Sequence, residues 1–286
     1  MPLNLLYKNE EQILQENQVG EVLFLTYPIL DQTGIVKHGF STRIGGVSEG
    51  YLGSMNLSFT RGDKEEAVRE NYMRMAKALR VDADSFVFSQ QTHTTNVRAV
   101  RFQDKGRGLL TPLTYQDVDG LITNVPGLTL TTFYADCVPL YFVDPVHKAI
   151  GLSHSGWRGT VGRMGAVTLQ RMQEEYGTDP ANVIAAIGPS ICQDCYEVSE
   201  DVIQEFQNTF EPKFHKQLFY RKENGKYQLN LWAANEIVLT EAGVPREQIA
   251  ITNVCTCCNG DKLFSHRASQ GRRGNLAAFL ALKEES

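Results

Sequence analysis

No apolar run in the chain reaches the ~18–20 residues that a membrane-spanning helix requires, and none is expected to cross a bilayer. Six cysteines in 286 residues are too few for a disulfide scaffold. In a reducing compartment they read instead as core thiols, metal ligands or nucleophiles. Positive charge is not in excess: 28 Lys and Arg against 33 Asp and Glu leave a net charge of −5. That balance carries no electrostatic footprint for nucleic acid, and nucleic acid is not an expected partner. Histidine is scarce too, with six in the chain. There is no G-x-x-x-x-G-K-[S/T] phosphate loop and no G-x-G-x-x-G after a strand. Residues 1–10 carry Lys8 and Glu10 and lack a signal-like apolar region, so the expected location is cytoplasmic.

Ordinary globular composition remains, with 42% hydrophobic and 21% charged residues. No repeat, low-complexity tract or Pro/Gly/Ser linker divides the chain, so residues 1–286 read as a single domain. Asp63–Leu79 reads as a helix, with Asp63 as cap, Glu66 completing a capping box, and Val68, Tyr72, Met75 and Leu79 at helical spacing. Further helices are expected at Thr160–Tyr176, Ser199–Phe210 and Leu231–Ala242. Strands are expected at 21–25, 35–40, 85–89, 96–102, 120–123, 128–134, 139–143, 149–153, 183–187, 248–252 and 275–282. The polar stretch 210–226 reads as a surface excursion. Strands outnumber helices without regular interleaving. The fold class is therefore α/β of the α+β type, with layered mixed sheets flanked by helices rather than a doubly wound parallel sheet.

Three potential ligands sit where apolar strands end: His93 after Gln90-Gln91-Thr92, Cys137 in Ala135-Asp136-Cys137-Val138-Pro139, and His154 before Ser155-Gly156. Two imidazoles and a thiolate suit zinc and leave a fourth position open. They lie 44 and then 17 residues apart, so no local ligand motif supports the set. The same atoms read equally as a Cys–His nucleophile pair, with Asp136 to orient a histidine or act as base. Arginines in glycine-rich loops are candidates for an anion: Arg43 before Ile44-Gly45-Gly46, Arg158 between Trp157 and Gly159, and Arg272 and Arg273 between Gly271 and Gly274. Asn56 and Gln91 are added as polar substrate candidates. Four thiolates of Cys192, Cys195 and the run Cys255-Thr256-Cys257-Cys258 could hold a structural zinc, but C-x-C-C departs from the paired C-x2-C pattern and Cys192-Gln-Asp-Cys195 has no thioredoxin-like context, so these five thiols read rather as buried and free.

The order HGFSTRIGGVS (residues 38–48), QTH (91–93), DGLIT (119–123), ADCVP (135–139), GLSHSGWRG (151–159), AIGPSICQDCYEV (186–198) and LFSHRASQGRRGN (263–275) resembles a known family. This is the family of multifunctional purine nucleoside enzymes once labelled polyphenol oxidase or laccase-domain proteins. The likeness runs from His38 to the C-terminus and leaves residues 1–30 as a variable segment. It implies His93, Cys137 and His154 as ligands of one zinc per chain, with copper as an alternative occupant. It also implies phosphorolysis of adenosine, inosine, guanosine and methylthioadenosine, and deamination of adenosine, with purine nucleosides and phosphate as partners. Asp136 is the nearest carboxylate to act as proton shuttle, and Cys137 belongs to the same catalytic group. Arg43 and Arg158, with Asn56 and Gln91, are the candidates for phosphate and substrate. Two enzyme alternatives stand beside this reading: a copper-dependent phenol oxidase, which six histidines without an H-x-H pair supply poorly, and a metal-free cysteine hydrolase using Cys137. A monomer or homodimer is expected.

Overall fold

Two six-stranded mixed sheets face each other, and each carries helices on its outer side. The coordinates are a computed structural model that describes residues 3–11 and 13–284. In chain order the strands are β1 (Gln15–Val19), β2 (Val22–Thr26), β3 (Val36–Ser41), β4 (Phe86–Phe88) and β5 (Val97–Ala99). Next come β6 (Gly120–Thr123), β7 (Thr129–Tyr134), β8 (Val138–Asp144), β9 (Ala149–Ser155) and β10 (Ile184–Ile187). The last are β11 (Glu197–Val198), β12 (Phe219–Arg221), β13 (Tyr227–Leu229), β14 (Ile249–Ile251) and β15 (Leu276–Leu282). The first sheet has the order β1-β2-β3-β15-β7-β4 and the second β14-β10-β8-β9-β6-β5. Both are antiparallel at their centres; the first ends in one parallel pair, β4 with β7, and the second in two, β5 with β6 and β10 with β14. A small sheet, β11-β13-β12, lies apart.

The layering follows from residue alternation. In β8, Tyr141 and Val143 enter the core between the sheets, while Leu140 and Phe142 face the helices Met164–Tyr176, Glu200–Thr209 and Leu231–Glu241. In β15, Ala278, Leu280 and Leu282 face the inter-sheet core, while Ala277 and Phe279 meet the helix Glu65–Leu79. Strands covered on both faces read as nearly continuous apolar runs, and β8, β9 and β15 are buried throughout.

Several sequence expectations change. The helix from 65 to 79 starts at Lys64, and Asp63 does not cap it: its Oδ2 accepts from Ser48 Oγ and Asn56 Nδ2 instead. The segment from 157 to 176 is two helices, Trp157–Val161 and Met164–Tyr176, separated at Arg163, whose φ is +58°. β1 (QENQV) has no apolar pattern and exists by pairing with β2 across a tight turn at Gly20, where φ is +60°. The polar stretch from 210 contains two short helical turns and the β12–β13 hairpin. Among the described residues no helix is long and apolar enough to cross a membrane.

Candidate metal centre and its cavity

β8 and β9 pair antiparallel with Val138 opposite Ser155 and Pro139 opposite His154, so that register sets His154 beside Cys137, the residue just before β8. His93 comes from the loop that joins β4, an edge of the first sheet, to β5, an edge of the second. One donor atom from each of His93, Cys137 and His154 lies within 4.8 Å of the others. Cys137 Sγ is 4.0 Å from His93 Nε2, and the two imidazole rings stand nearly perpendicular, with centroids 5.0 Å apart.

The carboxylate that organises this meeting is Asp119, fully buried just before β6. One oxygen contacts His154 Nδ1 at 2.8 Å, and the backbone carbonyl of Asp119 accepts the His154 N–H at 2.8 Å. The carboxylate also accepts the N–H groups of Thr92, His93 and Thr94 at 2.9, 3.1 and 3.1 Å, and the Thr94 hydroxyl at 3.1 Å. Two consequences follow. His154 carries its proton on Nδ1 toward Asp119, which turns Nε2 to the gap between the three ligands. His93 is held at a φ of +67°, a left-handed conformation that costs ~1–3 kcal/mol and persists only when its surroundings enforce it. In the sequence Asp119 opens the DGLIT motif with no role evident, because its partners lie 26 and 35 residues away along the chain.

The donor set fits a soft or borderline metal ion. Burial by itself would push the Cys137 thiol up, but the adjoining His154, with hydrogen bonds from His154 and His93, outweighs it and holds the thiol down at about 6. Burial pulls His154 down; the Cys137 charge and the Asp119 bond overcome that and raise it to about 9. The two groups shift in opposite directions because each stabilises the other's charged form, a pairing that favours the thiolate, the form in which sulfur binds a metal. His38 provides the contrast. It is as buried, but its Nε2 accepts the Tyr27 N–H and no thiolate adjoins it, so burial dominates and its value falls to about 4. The backbone presses close as well: a Cβ on Gly156 would stand 3.1 Å from His93 Cδ2 and 3.2 Å from Cys137 Sγ.

All three ligands open onto a cavity of about 670 Å³. Its walls include Phe59, Phe88, Phe133 and Tyr134, an apolar lining suited to a flat heterocycle, and the guanidinium groups of Arg61 and Arg273. Among the described residues no carboxylate lies within ion-pair distance of Arg61 or Arg273, and Arg273 Nε is buried without a hydrogen-bond partner. Burial and the neighbouring Arg61 charge lower Arg273 to about 10. Two cations crowded together in a cleft are the mark of an anion site. Arg273 was visible in the sequence as one of four loop arginines. Arg61 was missed, since an arginine in a polar turn has no signature of its own.

The other sequence candidates lie elsewhere. Arg43 does not line the cavity: its Nε and Nη1 donate to the carbonyls of Gly53 and Gly260, and it stacks 4.6 Å from the Phe264 ring centre. Asn56 is fully buried and cross-links Ser58, Asp63 and Asn275. Arg158 lies over the Trp157 ring at 4.2 Å, outside the cavity lining. Gln91 does line the cavity, but both ends of its amide bind the Phe133 backbone. Asp136 is also outside the lining. Its Oδ1 accepts from the Thr256 hydroxyl and its Oδ2 from the Arg267 N–H, both at 2.7 Å, so its carboxylate ties the Cys137 loop to its neighbours rather than facing the cavity.

Residues 37–283 match the family model described as multi-copper polyphenol oxidoreductase laccase. A Bacillus subtilis relative named purine nucleoside phosphorylase YlmD is 34% identical over 247 residues, covering 86% of this chain and 88% of its own. A Bacteroides thetaiotaomicron relative named purine nucleoside phosphorylase is 37% identical over 266 residues, covering 90% and 96%. The crystal structure of YlmD from Geobacillus stearothermophilus superposes with a TM-score of 0.87 at 32% identity, covering 96% of this chain and 100% of that one.

Proposed function

The chain belongs to the multi-copper polyphenol oxidoreductase laccase family, and from that premise we propose that it is a zinc-dependent purine nucleoside phosphorylase that also deaminates adenosine. Adenosine, inosine, guanosine and methylthioadenosine are its substrates, with phosphate. One observation carries the reading: the cavity holding His93, Cys137 and His154 is also lined by Arg61 and Arg273, neither of which is ion-paired with a carboxylate among the described residues. A phenol oxidase has no use for such an anion site, and relatives over most of this chain's length bear the phosphorylase name.

Phosphate sits between Arg61 and Arg273, desolvated in a cleft where its charge is matched without reorganisation. One of its oxygens forms a bond to ribose C1′ as the C1′–N9 bond breaks. The bonding pair leaves with the purine, which gains a proton, and ribose 1-phosphate remains. Phe59, Phe88 and Phe133 give the base an apolar slot that fixes its plane and excludes water from C1′. Zinc held by His93, Cys137 and His154 would supply Lewis acidity, which would serve electron withdrawal from the base in phosphorolysis and the attack of water that displaces ammonia from adenosine C6. Asp119 keeps two of the three ligands in place throughout.

The test is product analysis. Purified protein given inosine yields hypoxanthine and ribose 1-phosphate only when phosphate is present, and given adenosine it also releases ammonia. Cys137→Ser loses turnover by at least ~10³-fold while staying folded. Hypoxanthine formed equally well without phosphate, or oxidation of phenols as the sole activity, overturns the proposal.

A further inference from the structure

A second group of sulfur atoms lies away from the cavity. Cys192 and Cys195 follow β10, and Cys255 and Cys258 follow β14. These two strands are parallel neighbours with Ile187 opposite Ile251, and the pairing continues beyond them as a bridge between Ser190 and Cys255. Two turns therefore leave the same end of adjacent strands side by side, each bearing cysteines three residues apart. The four Sγ atoms lie within 4.8 Å of one another, and Cys195 Sγ is 3.5 Å from Cys258 Sγ. A zinc–sulfur bond of ~2.3 Å puts the edges of a tetrahedral four-sulfur site at about 3.8 Å. A disulfide needs ~2.05 Å. The spacing suits a shared ion and not two sulfur–sulfur bonds.

The surroundings are those of bound thiolates. Cys255 Sγ accepts the N–H groups of Cys192 at 3.2 Å and Cys258 at 3.4 Å. Cys192 and Cys255 are buried, Cys195 and Cys258 half-buried. Lys8, paired with Asp194 at 3.0 Å, brings a cation to the rim. Cys257 belongs to the same turn yet falls outside the four. Along the chain 255–258 reads as C-x-C-C, which suggests free thiols. The pattern is C-x2-C twice, with Cys257 a further thiol of the second turn that adjoins Cys195 but lies outside the four.

We propose that Cys192, Cys195, Cys255 and Cys258 bind a second, structural zinc ion, with all four positions filled by protein. Each thiol binds as thiolate and gives its proton to solvent. No position is left for substrate, so this ion does no chemistry. It fastens the β10 and β14 turns together, and those turns reach the Cys137 loop: Asp136 accepts the Ile191 N–H through its carbonyl and the Thr256 hydroxyl through its carboxylate. Arg267 donates to the Cys195 and Glu197 carbonyls and, by its backbone, to Asp136. The expected content is two zinc ions per chain rather than the one the sequence implied.

Metal analysis of full-length protein, purified under reducing conditions, tests this independently of the reaction proposed above. Wild type carries two zinc ions and Cys137→Ser one. Cys192→Ser/Cys255→Ser carries one, as does the half-buried pair Cys195→Ser/Cys258→Ser if the first variant does not fold; Cys257→Ser keeps two. Cobalt exchanged into Cys137→Ser shows the strong sulfur-to-metal absorption of four thiolates. A single zinc that survives Cys137→Ser still carries this proposal and counts instead against the first centre. Wild type with one zinc and Cys137→Ser with none overturns it, and so does a disulfide among the four cysteines, or iron in place of zinc.

Discussion

The two sulfur-bearing centres differ in how the chain assembles them. The four cysteines come from two turns at the ends of adjacent parallel strands, so one strand pairing brings them together. His93, Cys137 and His154 come from three segments, and a β8–β9 register aligns only two of them. The third depends on Asp119, a buried carboxylate whose oxygens accept from the His93 loop and contact His154. The first arrangement closes on itself and is lined by its own turns. The second leaves a face toward a cavity lined by two arginines that form no ion pair with a carboxylate among the described residues. The four-cysteine group needs only two local turns; the open group draws two residues from the central β8–β9 pair and one from a separate loop, and a buried charged residue then holds them in register.

That contrast can be broken by mutation. The largest effect is expected for Asp119→Asn. It removes the charge that orients His154 and the His93 loop, so zinc affinity at the open centre falls ~10–100-fold, the usual cost of losing such a partner. The four-cysteine ion stays bound, as competition with a chelator and metal counting will show. Equal loss from both centres would mean that they fold as one unit.

Arg273→Gln has a narrower expected effect. The cavity keeps its shape and zinc, while the KM for phosphate rises ~10-fold, the ~1.4 kcal/mol of one charge-assisted hydrogen bond. The KM for inosine and the zinc content stay within twofold of wild type. A change in nucleoside KM with phosphate untouched would move the anion site elsewhere. Gly156→Ala is the smallest. The new methyl meets His93 and Cys137 at 3.1 and 3.2 Å and must displace them by a few tenths of an ångström. Metal sites tolerate about 0.2 Å, so a fall in zinc affinity of several-fold is expected with the melting temperature unchanged. No change would show that the loop of His93 yields freely, contrary to the grip of Asp119.

The sequence discloses local structure more fully than long-range contacts. Helix 65–79 and the buried strands β8, β9 and β15 announce themselves through periodic or continuous apolar residues, because each buries its own side chains. β1 did not, since an edge strand of polar residues owes its form to its neighbour. Asp63 looked like a helix cap and Arg43 and Arg158 like phosphate ligands, because the sequence context of each suits such a role. In the structure Asp63 and Arg43 are spent on other partners and Arg158 lies over Trp157. Asp136 adjoins Cys137 along the chain, yet its carboxylate points to Thr256 and Arg267. Asp119, 26 residues from His93, holds the site.

What the amino-acid order alone determined is therefore the class of fold, the motifs that mark the family, and the chemical types able to bind a metal. Propensity, alternation and side-chain chemistry are properties of short stretches and survive without the rest of the molecule. Tertiary structure alone decided which carboxylate governs the centre, which arginines reach the cavity, and that two separated cysteine pairs form one four-sulfur group. Those depend on pairing between strands far apart in the chain. A buried charge or thiolate is tolerated only where long-range packing has already set its partners around it.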